Sequence, residues 1–202
     1  SPLILSTTYI WFDYSHLATQ DIIYSCLVTL GIFSLVKIKS KDNKFYILLF
    51  GIWIGLAFMM KTFLVFVPLI SLLPYFFIKK NLLFSKFFWF GLLIGFIPYL
   101  FWTFSINPYL EKNIIFYLVE KFNFLSSKNN FTNPFYYYLW NIPTTFLPWS
   151  FFSIIGAIQN ISHSKDNKYI LTFFPLILII TLSIFSTKTP YYTLQISSIF
   201  SL

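Results

Sequence analysis

The strongest constraint in this sequence is a repeated pattern: long apolar runs with almost no charge inside them, separated by short gaps that hold the lysines. A helix that crosses a bilayer needs about 20 mostly apolar residues, within a range of about 17–25. Only α-helices and closed β-barrels satisfy their own backbone in lipid. The runs here are continuous rather than alternating, so they read as helices. Their aromatic and aliphatic surface is too large for an aqueous fold to cover. Hydrophobic residues make up 57% of the chain and charged residues 10%, where soluble domains carry roughly 25% charged.

The segments follow in order. About Pro2 to Phe12 is the end of one helix. About Ile22 to Val36 is a second, followed by the polar stretch Lys37 to Lys44. About Phe45 to Met60 and about Phe63 to Ile78 are the third and fourth, joined by a tight turn at Lys61-Thr62. About Phe87 to Phe104 is the fifth. About Pro134 to Ile161, about Tyr169 to Phe185 and a segment from Tyr191 complete the set. The fold class is therefore all-α: a polytopic membrane protein, with about 7–8 membrane segments in this piece. The whole of 1–202 reads as a single transmembrane domain, incomplete at both ends, because the chain starts with Ser1 already in an apolar run and stops in another. Between them, about 105–133 is more polar and reads as an external segment. Its stretch Tyr109 to Phe122 has Leu110, Ile114, Tyr117 and Leu118 near one face, the pattern of a helix lying in the membrane interface.

All 14 basic residues are lysine, and the net charge is +8. In a soluble chain this would suggest nucleic acid. Here the lysines sort by side instead, so no nucleic-acid partner is expected. Lys37, Lys39, Lys41, Lys44, Lys79, Lys80, Lys86, Lys165 and Lys168 fall on one side of the alternating helices. Lys61, Lys112, Lys121, Lys128 and Lys188 fall on the other. The richer set faces the cytoplasm by the positive-inside rule. The poorer face is then external and is where chemistry is expected. The single cysteine, Cys26, reads as a small apolar core residue.

Ionisable residues at membrane helix ends are functional candidates by default. On the external face these are His16 and Asp21, then Lys61, then Lys188 with Tyr191 and Tyr192. Each also has a plain reading: Asp21 as a helix cap, Lys61 as a snorkelling lysine, and Lys188 with its tyrosines as an interfacial anchor. The chemical reading is a grip on a lipid phosphate, with ammonium as a point charge and phenols as donors. A fourth cluster, Tyr136, Tyr137, Tyr138 and Trp140 with Leu147-Pro148-Trp149-Ser150, reads as an aromatic belt. No Gly-rich phosphate loop, Cys/His metal spacing or nucleophile elbow occurs, so no cofactor or metal is implied.

Four motifs in order, His16-Leu17-Ala18-Thr19-Gln20-Asp21, Gly55-Leu56-Ala57-Phe58-Met59-Met60-Lys61-Thr62, Leu147-Pro148-Trp149-Ser150 and Ser186-Thr187-Lys188-Thr189-Pro190-Tyr191-Tyr192, resemble one family over nearly the whole chain. It is the bacterial branch of the protein-mannosyltransferase superfamily, glycosyltransferase family 39 and its aminoarabinose-transferase relatives. The resemblance implies a GT-C fold in the bacterial plasma membrane. It also implies inverting transfer of a sugar from a polyprenyl-phosphate donor to a hydroxyl of a protein, lipid or glycan on the external face. His16, Asp21, Lys61, Lys188, Tyr191 and Tyr192 would line the substrate site. The acidic base would lie in an external loop upstream of Ser1, so this piece alone is expected to be inactive. His16 stands where the family usually has arginine, and Gln195 where it commonly has proline. The alternative reading is a transporter or flippase for a lipid-linked or amphipathic substrate. That reading calls for ionisable groups near the bilayer midplane, whereas these candidates sit at one face.

Overall fold

A computed structural model describes residues 2–17, 19–38, 43–106, 116–120, 123, 133–163, 169–185 and 187–201. Among them the chain is helical. The elements are α1 (Pro2–Ser6), α2 (Tyr9–Ser15), α3 (Gln20–Lys37), α4 (Lys44–Lys61), α5 (Phe66–Ser71), α6 (Leu73–Ile78), α7 (Lys86–Ile106), α8 (Tyr137–Thr145), α9 (Ser150–His163), α10 (Phe174–Ile184) and α11 (Leu194–Phe200). Short 3₁₀ turns at Thr62–Val65 and Pro190–Thr193 precede α5 and α11, and a π-helical turn at Tyr169–Phe173 leads into α10.

The expected helices over about 22–36, 45–60 and 87–104 form as α3, α4 and α7. These lie in the three stretches long and apolar enough to cross a membrane among the described residues. The other expected spans come in pieces, each with a local cause. In 2–12 the hydroxyls of Ser6, Thr7 and Thr8 donate to the carbonyls of Leu3 and Ile4. Such side-chain bonds compete with the helix, and α1 stops before α2 begins. The segment over 63–78 starts as a 3₁₀ turn and bends at Leu72, just before Pro74, which brings no N–H to the ladder. The expected single helix over 134–161 divides into α8 and α9 around Pro148. Of the interfacial helix expected over Tyr109 to Phe122, only 116–120 lies within the described residues, and it is helical.

The path of the chain can be followed from its contacts. Asn43 donates to the Lys37 carbonyl, and Lys79 Nζ to that of Ile38 at 3.2 Å. Both contacts lie at the lysine-rich end of α3. The Tyr75 hydroxyl donates to the Leu35 carbonyl near the same end, and at the other end the Tyr24 hydroxyl donates to the Leu64 carbonyl. The chain therefore descends in α3, rises in α4, turns back through 62–78 and rises again in α7. α10 packs on α5, and α11 lies along α3, where Thr29 Oγ1 donates to Ser198 Oγ at 2.9 Å.

Two glycine pairs set the closest contact. A Cβ on Gly51 would overlap the Phe88 carbonyl, and one on Gly55 would overlap Gly95. In return, Cβ atoms on Gly91 and Gly95 would overlap the carbonyls of Leu48 and Ile52. The matching order, 51 with 91 and 55 with 95, makes α4 and α7 parallel neighbours at backbone contact. In lipid, where water cannot drive helices together, such small-residue stripes let dispersion forces do so. The outward surface stays apolar, with Phe101 73% and Phe104 77% exposed on α7. Cys26, expected in the core, instead lies exposed on α3. Hydropathy does not separate a lipid-facing position from a helix-facing one, because both are apolar.

Gly95→Leu is expected to disrupt the α4–α7 contact and destabilise the folded protein by about 1–3 kcal/mol or more, the scale of overpacking. Gly156→Ala, where a new Cβ meets nothing within 4 Å, should leave stability unchanged or slightly raised. Detergent unfolding curves of the two variants check this, and equal effects would contradict the packing account.

Candidate functional site at the Lys61 end of the bundle

The site is built where α3 begins and α4 ends. Thr19 is the N-cap of α3, with no side-chain capping bond, so Asp21 is not the cap. It lies in the first turn, where exposed N–H groups and the helix dipole favour an anion. Its Oδ1 accepts from Lys61 Nζ at 2.9 Å, and the side chains are 12% and 21% exposed. Lys61 is the last residue of α4, where the dipole favours a cation. Two helix ends of opposite polarity thus present opposite charges to each other.

A third segment joins this pair. The Lys61 ammonium sits 5.6 Å from the centre of the Tyr191 ring, within range of a cation–π attraction. Tyr191 packs edge-on against Tyr192, with ring centres 4.9 Å apart, and against Tyr14 of α2 at 5.9 Å. Burial pushes the Tyr192 phenol up to about 12, aided by the neighbouring Tyr191. Burial and then Asp13 raise that of Tyr14. Both phenols therefore stay protonated at neutral pH and remain hydrogen-bond donors.

Of the residues singled out in the sequence, Asp21, Lys61, Tyr191 and Tyr192 come together. His16 and the Lys188 ammonium make their described contacts elsewhere. His16 is exposed, lies edge-on to Phe12, and its Nδ1–H donates to the Phe12 carbonyl. That partner fixes the tautomer, because a carbonyl only accepts. Lys188 is 5% exposed, and its Nζ donates to the Phe185 carbonyl at 2.7 Å. No carboxylate lies within ion-pair distance of it among the described residues. A buried ammonium without a counter-ion is costly, and in a membrane protein it marks a functional position. The loop that carries it is tied down: Asn133 donates to the Lys188 carbonyl, and the Tyr138 hydroxyl to the Thr189 carbonyl.

The aromatic cluster divides. Tyr138 is fully buried under the 187–193 loop, whereas Tyr136 and Trp140 are exposed. Trp149 Nε1 donates to Thr7 Oγ1 at 2.8 Å, pinning the α8–α9 turn to the α1–α2 break. Sequence reasoning passed over Tyr14 and Tyr24. Their roles depend on partners 177 and 40 positions away (Tyr191 and Leu64), and nothing in local sequence marks them. Among the described residues no group of three or more His, Cys, Asp and Glu side chains gathers.

This geometry stands beside the comparisons with known proteins. The family model for dolichyl-phosphate-mannose-protein mannosyltransferase matches residues 1–102. The crystal structure of ArnT from Cupriavidus metallidurans bound to undecaprenyl phosphate superposes with a TM-score of 0.81 at 15% identity. The match covers 98% of this chain and 38% of that one, so this chain spans well under half the length of its structural relative. No curated protein matches the chain.

Breaking the ion pair from one side should cost more than removing it. Asp21→Asn leaves Lys61 uncompensated, and a loss on the order of 1–3 kcal/mol is expected for a pair this close to the surface. Asp21→Asn with Lys61→Met should recover part of that loss. A double-mutant cycle read by thermal unfolding checks the coupling, and strictly additive losses would contradict it.

Proposed function

The chain belongs to the dolichyl-phosphate-mannose-protein mannosyltransferase family, and on that premise we propose that it is part of a membrane glycosyltransferase using a polyprenyl-phosphate sugar. The observation that carries the proposal is the meeting of Asp21, Lys61 and Tyr191 at one end of the helix bundle, from three distant stretches of sequence. The fold shared with a transferase solved with undecaprenyl phosphate supports the choice of donor. We read residues 1–202 as one transmembrane unit, with this end on the external face.

In the proposed reaction an acceptor hydroxyl oxygen attacks the anomeric carbon of the donor from the side opposite the phosphate. The bond from that carbon to the phosphate oxygen breaks, and the polyprenyl phosphate leaves with the electron pair. The acceptor proton passes to a carboxylate outside this piece. Inversion at the anomeric carbon follows from the opposed directions of attack and departure. The task of this piece is electrostatic. As negative charge grows on the departing phosphate, Lys61 stabilises it as a fixed charge, and Lys188 adds a second charge once its ammonium turns from the Phe185 carbonyl. The phenols of Tyr191 and Tyr192 supply hydrogen bonds. Asp21 keeps Lys61 oriented while no phosphate is bound.

Lys61→Ala and Lys188→Ala in the intact protein should each lower kcat/KM for a polyprenyl-phosphate sugar by about 10–100-fold, the scale of one or two charge-assisted hydrogen bonds. Membrane insertion should be unaffected. Unchanged donor kinetics in both variants would sink the phosphate assignment. The orientation is checked by cysteine labelling in a Cys26→Ala background: Ser15→Cys should react with an impermeant reagent from outside, and Lys80→Cys only after the membrane is opened. The reverse pattern would overturn the topology.

A further inference from the structure

Thr62 carries two penalties at one position. It follows Lys61 at the end of α4 with φ 46° and ψ −111°. A β-branched residue at positive φ is an outlier, whereas glycine takes such a conformation without steric cost. The side chain is also buried, at 7% exposure, and its Oγ1 has no hydrogen-bond partner. Several hydroxyls inside the helices of this bundle are satisfied locally, while Ser150 at the start of α9 and Thr19 and Thr189 outside the helices share with Thr62 a buried hydroxyl that has no partner, without its positive φ. Thr29, Ser34, Ser71 and Thr181 each donate to the carbonyl four residues earlier. Thr62 has no such bond, although its backbone N–H still reaches the Phe58 carbonyl.

The strained turn is gripped from both sides by α3. Asp21 holds Lys61 just before it, and Tyr24, three residues on along the same helix face, holds the Leu64 carbonyl just after it. Strained conformations persist where surrounding contacts over-determine them, and they cluster at ligand sites. A glycine would relieve the strain and remove the orphan hydroxyl together. Keeping threonine makes sense if the hydroxyl gains a partner that the free protein lacks.

We infer that Thr62 is a ligand-binding and specificity-determining residue: its hydroxyl donates to an oxygen of the lipid-linked phosphate whose charge Lys61 meets. The inference rests on the phosphate reading of this site given above. An ammonium is a point charge with little directional preference, and a hydroxyl beside it adds direction. The hydroxyl is covered in the free protein, and rotation about χ1 between staggered wells re-aims it.

The test uses the intact protein in lipid nanodiscs, as wild type and as Thr62→Ser, Thr62→Gly and Thr62→Val. Each is titrated with undecaprenyl phosphate and with uncharged undecaprenol, and each is melted. Thr62→Ser should bind the phosphate within about twofold of wild type. Thr62→Gly and Thr62→Val should bind it at least about fivefold more weakly, the scale of one lost hydrogen bond. Undecaprenol binding should not change across the series. Thr62→Gly should melt no lower than wild type, which separates lost recognition from lost folding. If Thr62→Val does not fold, the comparison of Gly with Ser decides. Equal phosphate binding by Gly and Ser would overturn the role of Thr62 while leaving the phosphate site standing. A wild type that binds undecaprenol as tightly as the phosphate would overturn both.

Discussion

The Asp21–Lys61 ion pair is the interaction on which the arrangement of this end of the bundle depends. It joins the positive end of α3 to the negative end of α4, so each charge is favoured by its own helix as well as by its partner. For a largely but not fully buried pair, the total stabilisation is weak but breaking it from one side is costly. That asymmetry matters more for function than for stability. It holds an ammonium in a defined place without using up its other two N–H donors. In the proposed role, an incoming phosphate would meet a cation that is already positioned, which reduces the reorganisation needed when charge develops.

The rest of the molecule isolates and supports that end. The glycine stripes of α4 and α7 bring two backbones into contact and carry the Lys61 turn on a stiff pair of helices. Around them the outward faces are apolar, as a protein solvated by lipid chains requires. Polar chemistry is thereby confined to the two ends of the bundle. One end is rich in lysines, with Lys37, Lys44, Lys79, Lys80 and Lys86 near one another in the chain path. The other has fewer charges: among those described, Asp21 and Lys61 are paired, Lys188 is buried and Asp13 is exposed. The 187–193 loop completes this second end. It lays Tyr191 over Lys61, while Tyr138 and Asn133 hold its backbone from behind.

Much of this was legible in the sequence, for physical reasons that also mark where legibility stops. α3, α4 and α7 could be read directly, because an uninterrupted apolar run has few alternatives in lipid. The reversal at Lys61-Thr62 could be read because a lysine there must find water or a partner. Helix interruptions were harder. Ser6, Thr7 and Thr8 break the first segment by bonding backward to carbonyls, and in a hydropathy reading such residues look tolerable inside a span. Asp21 read as a cap or as a residue of the substrate site, and its pairing with Lys61, 40 positions away, is a contact that local sequence does not show. Lys188 could be recognised as a special lysine. Its local sequence did not show that its ammonium would be buried on the Phe185 carbonyl rather than set beside Lys61. Cys26 illustrates a general ambiguity, since a small apolar residue suits a lipid-facing surface as well as a core.

The central claim is that the Lys61 end of this bundle receives a lipid-linked phosphate. The most direct measurement is photo-crosslinking of the intact protein in nanodiscs with a polyprenyl phosphate that carries a diazirine close to the phosphate, followed by mass-spectrometric mapping of the labelled peptides. The account predicts labelling of the peptides that contain 14–21, 58–64 and 187–195, suppressed by excess undecaprenyl phosphate. Labelling concentrated instead on 37–44 and 79–86, at the lysine-rich end, would contradict it.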